Sequence, residues 1–452
     1  MKSTAEPRPI HHPRPAPRLV EPQVVRDVCR DLGLRHRRRL LDPITTLNLL
    51  VIQALHGNTA LTDLRHKSGV TASASAICRA RARLPLAFFR EVLARLGRRW
   101  QGLTADVGTW HGHRVVLVDG SGCSMPDVAG LRDHFGRPPG QKPGCGFPVL
   151  ALLAVVHAGT GLLLEWIDGP LFSSEQAGVA DLASRLRRGD VLVGDRAFGN
   201  YPTLASLARR GVEAVLRVHH RVIVDFTPGR PHAHPASSAG GKGLPRSRWV
   251  RALGVHDQVV EWRRPATPPR GVAAEAWATW QASLRVRETR YRVEVEGFRT
   301  REVTLASTLL DGAAYPASEL AGLYFQRWGI EGHFRDLKTT LGMDVLKCKS
   351  VDGVRKELAT YALAYNLVRL SALEGARRSG VRPSRISFID ALRWLATTAV
   401  RGWSGPPDLI VNPHRPGRAE PRVKKRRPKN YKWMTKPRSD LKKASASQGV
   451  AP

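Results

Sequence analysis

Tyr324, Arg327, Glu331 and Lys338 stand in the stretch YFQRWGIEGHFRDLK, residues 324–338, at intervals of three, four and seven. On an α-helix, at about 100° per residue, these positions fall within about 60° of one another, and Arg335 joins the same stripe. A helix face meant for a core would be apolar. This one sets a single carboxylate in a row of cations and a phenol. It suits a surface that meets something negatively charged and holds one metal ligand at its centre. From Tyr324 to Lys338 the stripe is about 21 Å long at 1.5 Å per residue, too long for one nucleotide and suited to following the backbone of a strand.

Two more carboxylates follow apolar runs of strand character: Asp119 after VVLV, and Asp195 after VLVG. Functional groups of α/β sheets gather at the carboxyl ends of strands, although either Asp alone could open a turn or cap a helix. Three carboxylates without a histidine cage favour a hard, oxygen-loving cation, Mg²⁺ or Mn²⁺ rather than zinc. Two such ions about 3.5–4 Å apart would clamp both oxygens of an in-line phosphoryl displacement. The protein's share is then mostly positioning and charge, with Tyr324, Arg327 and Lys338 on phosphates to either side. Arg196, beside Asp195, reaches a phosphate or pairs with a neighbouring acid.

The elements that must carry these residues are legible in outline. Residues 1–21, rich in Pro, Arg and His, read as a disordered basic start. Residues 22–110 read as helical: Asp42-Pro43 is a cap and first-turn proline ahead of ITTLNLLVIQALHG. Arg79, Arg81 and Arg83 lie on one short helix of what is either a small DNA-end-binding module or a plain bundle with solvated arginines. From 111 to 218 the order of segments is β-β-β-α-β-α-β, a mixed α/β sheet. Its strands include RVVLVDGS ending at Asp119, a hairpin over 147–169, DVLVGDRAFG stopping at Asp195, and VEAVLRV; SEQAGVADLASRLRRG reads as a helix. Residues 219–310 read as a mostly β insertion with strands such as RVIVDF, DQVVEW and LRVRETRYRVEVEG. Residues 311–400 complete the same α/β unit, and from 317 the chain returns to helix, with one from 317 to 342 and another over VDGVRKELATYALAYNLVRLSALEGARRSG. Residues 401–452 form a basic, mostly disordered tail.

The charge points the same way. The 452 residues carry 72 Lys and Arg against 38 Asp and Glu, a formal charge of +34. The first 40 residues hold ten basic and four acidic side chains and the last 52 hold fourteen and three, so +17 remains for residues 41–400. A folded body that basic implies a polyanionic partner, most simply nucleic acid, and the tail would add salt-dependent affinity. Five scattered cysteines without a CxxC pair exclude a zinc ribbon and a disulfide framework. The N-terminal residues lack the apolar core of a signal peptide. The longest apolar run, FPVLALLAVVHAGTGLLLEWIDG, is broken by HAGTG and reads as a buried hairpin rather than a membrane span.

Y-x2-R-x3-E-x6-K at Tyr324, Arg327, Glu331 and Lys338, with VDGS at Asp119 and GDRAFGN at Asp195 ahead of it in order, resembles the YREK and two Asp motifs of bacterial insertion-sequence transposases of the IS-four family. The resemblance runs from the helical N-terminal region to about residue 400 and includes the β insertion. It implies a ribonuclease-H-like core and a DDE triad in which Asp119 bridges two Mg²⁺ or Mn²⁺ ions while Asp195 and Glu331 hold one each. It also implies cut-and-paste transposition: hydrolysis at the element's ends, a DNA hairpin intermediate in relatives, then strand transfer into target DNA. The N-terminal helices would read the terminal inverted repeats. Two such ends ask for a homodimer acting on double-stranded DNA in the bacterial cytoplasm, at the nucleoid. Relatives flip a base near the cut onto a Trp of the insertion, for which Trp249, Trp262, Trp277 and Trp280 are candidates. A repurposed DNA-binding protein and a metal-dependent nuclease without strand transfer are the other readings.

Overall fold

The computed structural model describes residues 19–37, 39–139, 142, 144–171, 181–233, 243–269, 272–293, 302–401, 405–413 and 434–447. Most of the expected basic start and of the basic tail fall outside these residues, as do residues 174–180 of the helix expected over 174–189; of its remainder 181–183 is helical. The described chain opens with α1 (Pro22–Asp31), α2 (Pro43–Leu55), α3 (Leu64–Ser68), α4 (Ala74–Arg83) and α5 (Leu86–Leu103). Asp42 caps α2 by accepting from the Thr45 N–H at 2.7 Å, and Ser73 caps α4 in the same way. α2 is apolar nearly all round, burying Leu47, Leu49, Leu50, Val51 and Ile52, so it lies inside a bundle rather than on its surface.

One sheet runs through the molecule. Its strands are β1 (Thr109–Trp110), β2 (His113–Ser124), β3 (Val149–His157), β4 (Leu163–Pro170), β5 (Val191–Gly199), β6 (Glu213–Val218), β7 (Arg248–Gly254), β8 (Asp257–Arg263), β9 (Ser283–Arg292) and β10 (Glu302–Ser307). The spatial order is β4-β3-β2-β5-β6-β10-β9-β8-β7, with β1 paired to the start of β2. β2, β3 and β4 are antiparallel neighbours, whereas β5 and β6 run parallel to β2. Three antiparallel strands followed by two parallel ones, in this order, is the ribonuclease-H-like arrangement of a mixed α/β fold. Short helices among the described residues, α6 (Ala129–Phe135), α7 (Tyr201–Ala208) and α8 (Ala274–Ala278), punctuate it. The apolar run at 147–169 is a hairpin turning at Gly161, whose φ of 76° suits glycine. Among the described residues no helix is long and apolar enough to cross a membrane.

The structure corrects two expectations about strands. β2 and β5 do not stop at Asp119 and Asp195: each strand runs on for four or five residues, to Ser124 and Gly199. What stops there is their mutual pairing, whose last registered pair is Val118–Gly194. RVIVDF, residues 221–226, forms no strand. The strands after residue 247 continue the sheet: β10 joins β6 and carries β9, β8 and β7 outward as its far half.

Side chains of alternate residues divide between two cores. Val115, Leu117, Val191, Val193 and Val215 face one, covered by helices from both ends of the chain. Val116, Val118, Leu192, Leu216, Trp262 and Trp277 face the other. Over the first face runs the stretch expected as one helix. It is instead α9 (Ala317–Phe325), a 3₁₀ turn (Gln326–Trp328), α10 (Gly329–Arg335) and a π-helical turn (Asp336–Thr340). The long α11 (Val351–Arg378) and α12 (Phe388–Arg401) follow, and α13 (Arg438–Ser447) lies in the tail. α2 and α5 pack along α11. A buried knot locks that joint: the Glu357 carboxylate accepts from Asn58 Nδ2 at 2.7 Å and from the N–H groups of Lys347 and Cys348.

Candidate active site

Strand parity brings the first two carboxylates together. Asp119 and Asp195 each stand one residue beyond the last β2–β5 pair, on adjacent parallel strands. Both share the parity of Leu117 and Val193, so both face the core that lies under α9 and α10. Just there β5 also loosens from β6, whose register slips between Gly194 and Gly199. The result is a crevice at the carboxyl ends of the parallel strands, the place where open α/β sheets put their ligands. Asp119 Oδ1 accepts from the Gly120 N–H at 2.8 Å, and Asp195 Oδ1 accepts from the Ala197 N–H at 2.8 Å.

The helical stretch supplies the third carboxylate and the cations. The Arg327 guanidinium spans two acids, Nη1 lying 3.9 Å from Asp119 Oδ2 and Nη2 3.6 Å from Glu331 Oε1. Both distances exceed a hydrogen bond, so Arg327 screens charge without satisfying either group. Burial pushes the Asp119 carboxyl above the usual range. The nearby carboxylates of Asp195 and Glu331 push it further, against the N–H of Gly120 and the charge of Arg327. Lys338 Nζ donates to Ser121 Oγ at 3.1 Å. Ser121 is two residues beyond Asp119 on β2 and therefore on the same face.

A sequence profile of the family described as "Transposase DDE domain" matches residues 110–367, more than half of the chain and a span that includes Asp119, Asp195 and Glu331. The chain belongs to the transposase DDE domain family. Over 381 residues it is 23% identical to "Transposase InsG for insertion sequence element IS4" of Escherichia coli (strain K12), covering 80% of this chain and 78% of that protein. "Putative transposase InsZ" of the same strain is 25% identical over 103 residues, 23% of this chain and 34% of that protein. Among solved structures, a piggyBac transposase synaptic complex with hairpin DNA covers 84% of this chain and 78% of that one. That likeness is loose, at 11% identity and a TM-score of 0.42.

Membership in the DDE transposases implies divalent-metal chemistry on DNA, and the residues present fit such an ion. All three carboxylates are hard oxygen donors. Asp119 is half-buried in the field of two like charges, with a loosely held guanidinium and the Gly120 N–H to offset them, and the charge left over is what a cation would neutralise. As the side chains lie, no group of three or more His, Cys, Asp or Glu among the described residues is close enough to enclose a metal. Glu331, whose side chain is 59% exposed, is the one free to turn inward.

The remaining residues named from the sequence do not all join this DDE site. Tyr324 does not face outward: it is 1% exposed, with its phenol in the fields of Arg327 and Asp195. The helix is half sunk into the core, so the stripe's first member became a support. Arg335 is exposed on α10. Arg196 follows the opposite parity on β5 and points to the other side of the sheet, where it influences His220. Arg79 and Arg83 are exposed one helical turn apart, whereas Arg81 is half-buried near Cys348. The three cannot share a face, since positions two apart differ by about 200°. Trp262 and Trp277 are buried in the second core, their Nε1–H groups donating to Glu288 and to the Pro265 carbonyl. Trp280 packs against that core beneath Arg209, and Trp249 is half-buried on the outermost strand.

Three residues escaped sequence reasoning. Ser121 is one, hidden inside a motif read only for its Asp. Arg217 on β6 shares the parity of Val215, and Tyr291 on β9 packs against the same core; the two influence each other, and Arg327 and Tyr324 are within reach. The Tyr291 hydroxyl and Arg327 Nε are buried without a hydrogen-bond partner, and Arg217 makes no side-chain hydrogen bond or ion pair among the described residues. No spacing rule links β6 and β9, which only the β10 crossover brings within two strands of each other.

Proposed function

We propose that this DNA transposase moves an insertion sequence by cutting it at its ends and joining the freed 3′ ends to target DNA. The observation that supports the reading is that Asp119, at the split between β2 and β5, lies in the field of both Asp195 and Glu331, with Arg327 between Asp119 and Glu331. Asp119, Asp195 and Glu331 would hold two divalent ions, Mg²⁺ or Mn²⁺, with Asp119 shared between them. Bound there, the ions would lower the pKa of the attacking water or 3′ hydroxyl and neutralise charge on the departing 3′ oxygen.

The chain's own groups do the positioning. Arg327 and Lys338 hold phosphates on either side of the scissile bond, and Ser121 keeps the Lys338 ammonium beside Asp119. Arg217, Tyr291 and Tyr324 line the far side of Arg327. The unpartnered Tyr291 hydroxyl and Arg327 Nε favour an anion beside them, since a buried polar group without a partner costs about 1–3 kcal/mol. The N-terminal helices, residues 22–110, would bind the terminal inverted repeats, with the exposed Arg79 and Arg83 on DNA. Residues 111–218 and 311–400 form the catalytic unit, and residues 219–310 elaborate it. Two-fold related ends favour a homodimer, working on chromosomal DNA at the nucleoid.

End-labelled transposon-end DNA incubated with protein, Mg²⁺ and a circular target tests this. A product joined to the circle supports transposition. Cleavage without joining makes the protein a nuclease, and a shifted but uncut band makes it a DNA-binding protein on this fold.

A further inference from the structure

Behind the candidate catalytic helix, on the side away from the carboxylates, sits an arginine that the chemistry above does not use. Arg369 belongs to α11 and is 6% exposed. Its Nη2 donates to Asp336 Oδ2 at 2.6 Å and to His333 Nδ1 at 2.8 Å. Its Nε donates to the Tyr365 hydroxyl at 2.9 Å, which itself donates to the Gly161 carbonyl at 2.9 Å. The guanidinium also stacks 4.7 Å from the Phe388 ring centre. One side chain thus ties together the β3–β4 turn, α10 with its π-helical turn, α11 and α12.

His333 is two residues from Glu331, about 200° around the helix, and Asp336 is five away, about 140°. α10 therefore has two polar faces. Glu331 reaches toward Arg327 and the sheet acids on one, and His333 and Asp336 are gripped by Arg369 on the other. Asp336 opens the π-helical turn, and Lys338 leaves that turn to meet Ser121. A π-turn is a locally disfavoured geometry common at functional sites, and here its first residue is held by charge. Packing closes the remaining freedom: a Cβ on Gly161 would meet His333 at 2.6 Å and Arg369 Nε at 3.0 Å. A guanidinium has donors only, so His333 Nδ1 is the acceptor in that contact.

We propose that Arg369 is a positioning residue for the transposition reaction: by clamping His333 and Asp336 it fixes the rotation and axial setting of α10 and its π-turn, and so the reach of Glu331 and Lys338. The proposal rests on the assignment of Glu331 and Lys338 to the active centre. Arg369 touches neither DNA nor reacting atoms.

The test compares wild type, Arg369→Lys, Arg369→Met and the double variant Asp336→Asn with Arg369→Met. Arg369→Met alone should lower the melting temperature, because it leaves a buried carboxylate uncompensated. The double variant removes both charges and should recover it. A merely structural pair would recover cleavage as well. Arg369 as positioner requires that the refolded double variant bind transposon ends like wild type. It should still cleave them about 10²-fold more slowly, the penalty of a displacement near 1 Å, with a higher Mg²⁺ midpoint. Cleavage within about threefold of wild type at an unchanged Mg²⁺ midpoint would overturn the proposal. Should the double variant not fold, Arg369→Lys decides: it keeps the charge but loses the fork, and must cleave at least about tenfold more slowly while binding normally. Wild type that fails to cleave in Mg²⁺ would overturn the active-site reading itself, whatever the variants do.

Discussion

At the scale of single residues, the site is a problem in like charges. Asp119 is half-buried near two other carboxylates, and Arg327, a cation between Asp119 and Glu331, stands beyond hydrogen-bonding distance from both. Such an arrangement is costly without a further cation and useful with one. Glu331→Gln keeps size and polarity but removes one charge. It should lower end cleavage by about 10³-fold, at the upper end for loss of an electrostatic contributor, while gel-shift affinity for the ends stays within about twofold. Lost end binding in that variant would make Glu331 a folding residue. Lys338 and Ser121 form a graded pair. Lys338→Ala should cost about 10²-fold in strand transfer. Ser121→Ala should cost about tenfold, the worth of one hydrogen bond to a charged group. A Ser121→Ala enzyme with wild-type strand transfer at ordinary salt would remove the hydroxyl from the site.

At the scale of elements, position is set by where strands part. β2 and β5 pair through four rungs and then separate at the two aspartates, while β5 rejoins β6 only at Gly199. Gly199 makes that return possible: a Cβ there would lie 2.0 Å from the Arg217 carbonyl oxygen and 2.8 Å from its carbon. Backbone cannot step aside as a side chain can. Gly199→Ala should therefore destabilise the fold by about 2–3 kcal/mol, read as a lower urea midpoint, and should disturb Arg217 as it does so. Unchanged stability would show that the β5–β6 junction is looser than its packing implies. The helical stretch over the sheet follows the same logic. α, 3₁₀, α and π segments succeed one another because each short piece answers a different neighbour: Tyr324 in the core, Arg327 over the acids, Asp336 against Arg369.

At the scale of the whole molecule, the two ends of the chain enclose the sheet. α2 and α5 lie along α11, and Asp168 on β4, buried, is held by Arg355 of α11 at 2.7 Å and by Arg90 of α5 at 3.6 Å. End recognition and cutting, if divided as proposed, are thus performed by parts in direct contact. Global stability carries a pH signature from His157, buried at the end of β3. Its Nδ1 faces the Thr160 hydroxyl, with Arg114 and Asp190 nearby. Burial first, then Arg114, holds its pKa down to about 4 from the ordinary 6.5. Between those values the unfolded chain binds the proton and the folded chain does not. The contribution of this group is therefore complete above about pH 7 and is lost as pH falls, by about 1.4 kcal/mol per pH unit. Urea unfolding of wild type and His157→Gln at pH 7.5, 6.0 and 5.0 should give a difference that shrinks by roughly 2 kcal/mol toward pH 5. Parallel pH curves would mean that His157 is protonated in the fold or reached by water.

The sequence by itself determined the chemistry and most of the elements. A carboxylate among cations at helical spacing, two aspartates after apolar runs, and a basic body are statements about residue types and short-range periodicity, which local physics fixes. The Asp42 cap, the hairpin broken at HAGTG and the long α11 were readable for that reason. Tertiary structure alone decided what depends on partners distant in the chain. It extended β2 and β5 past their aspartates, because β3 goes on pairing with β2 after β5 has left it. It sank Tyr324 and turned Arg196 away, since burial and facing follow from what covers a strand or helix. It also brought Arg217, Tyr291 and Arg369 to the neighbourhood of one helix from three separate stretches, because a sheet and its covering helices unite residues by register and packing, which no interval along the chain encodes.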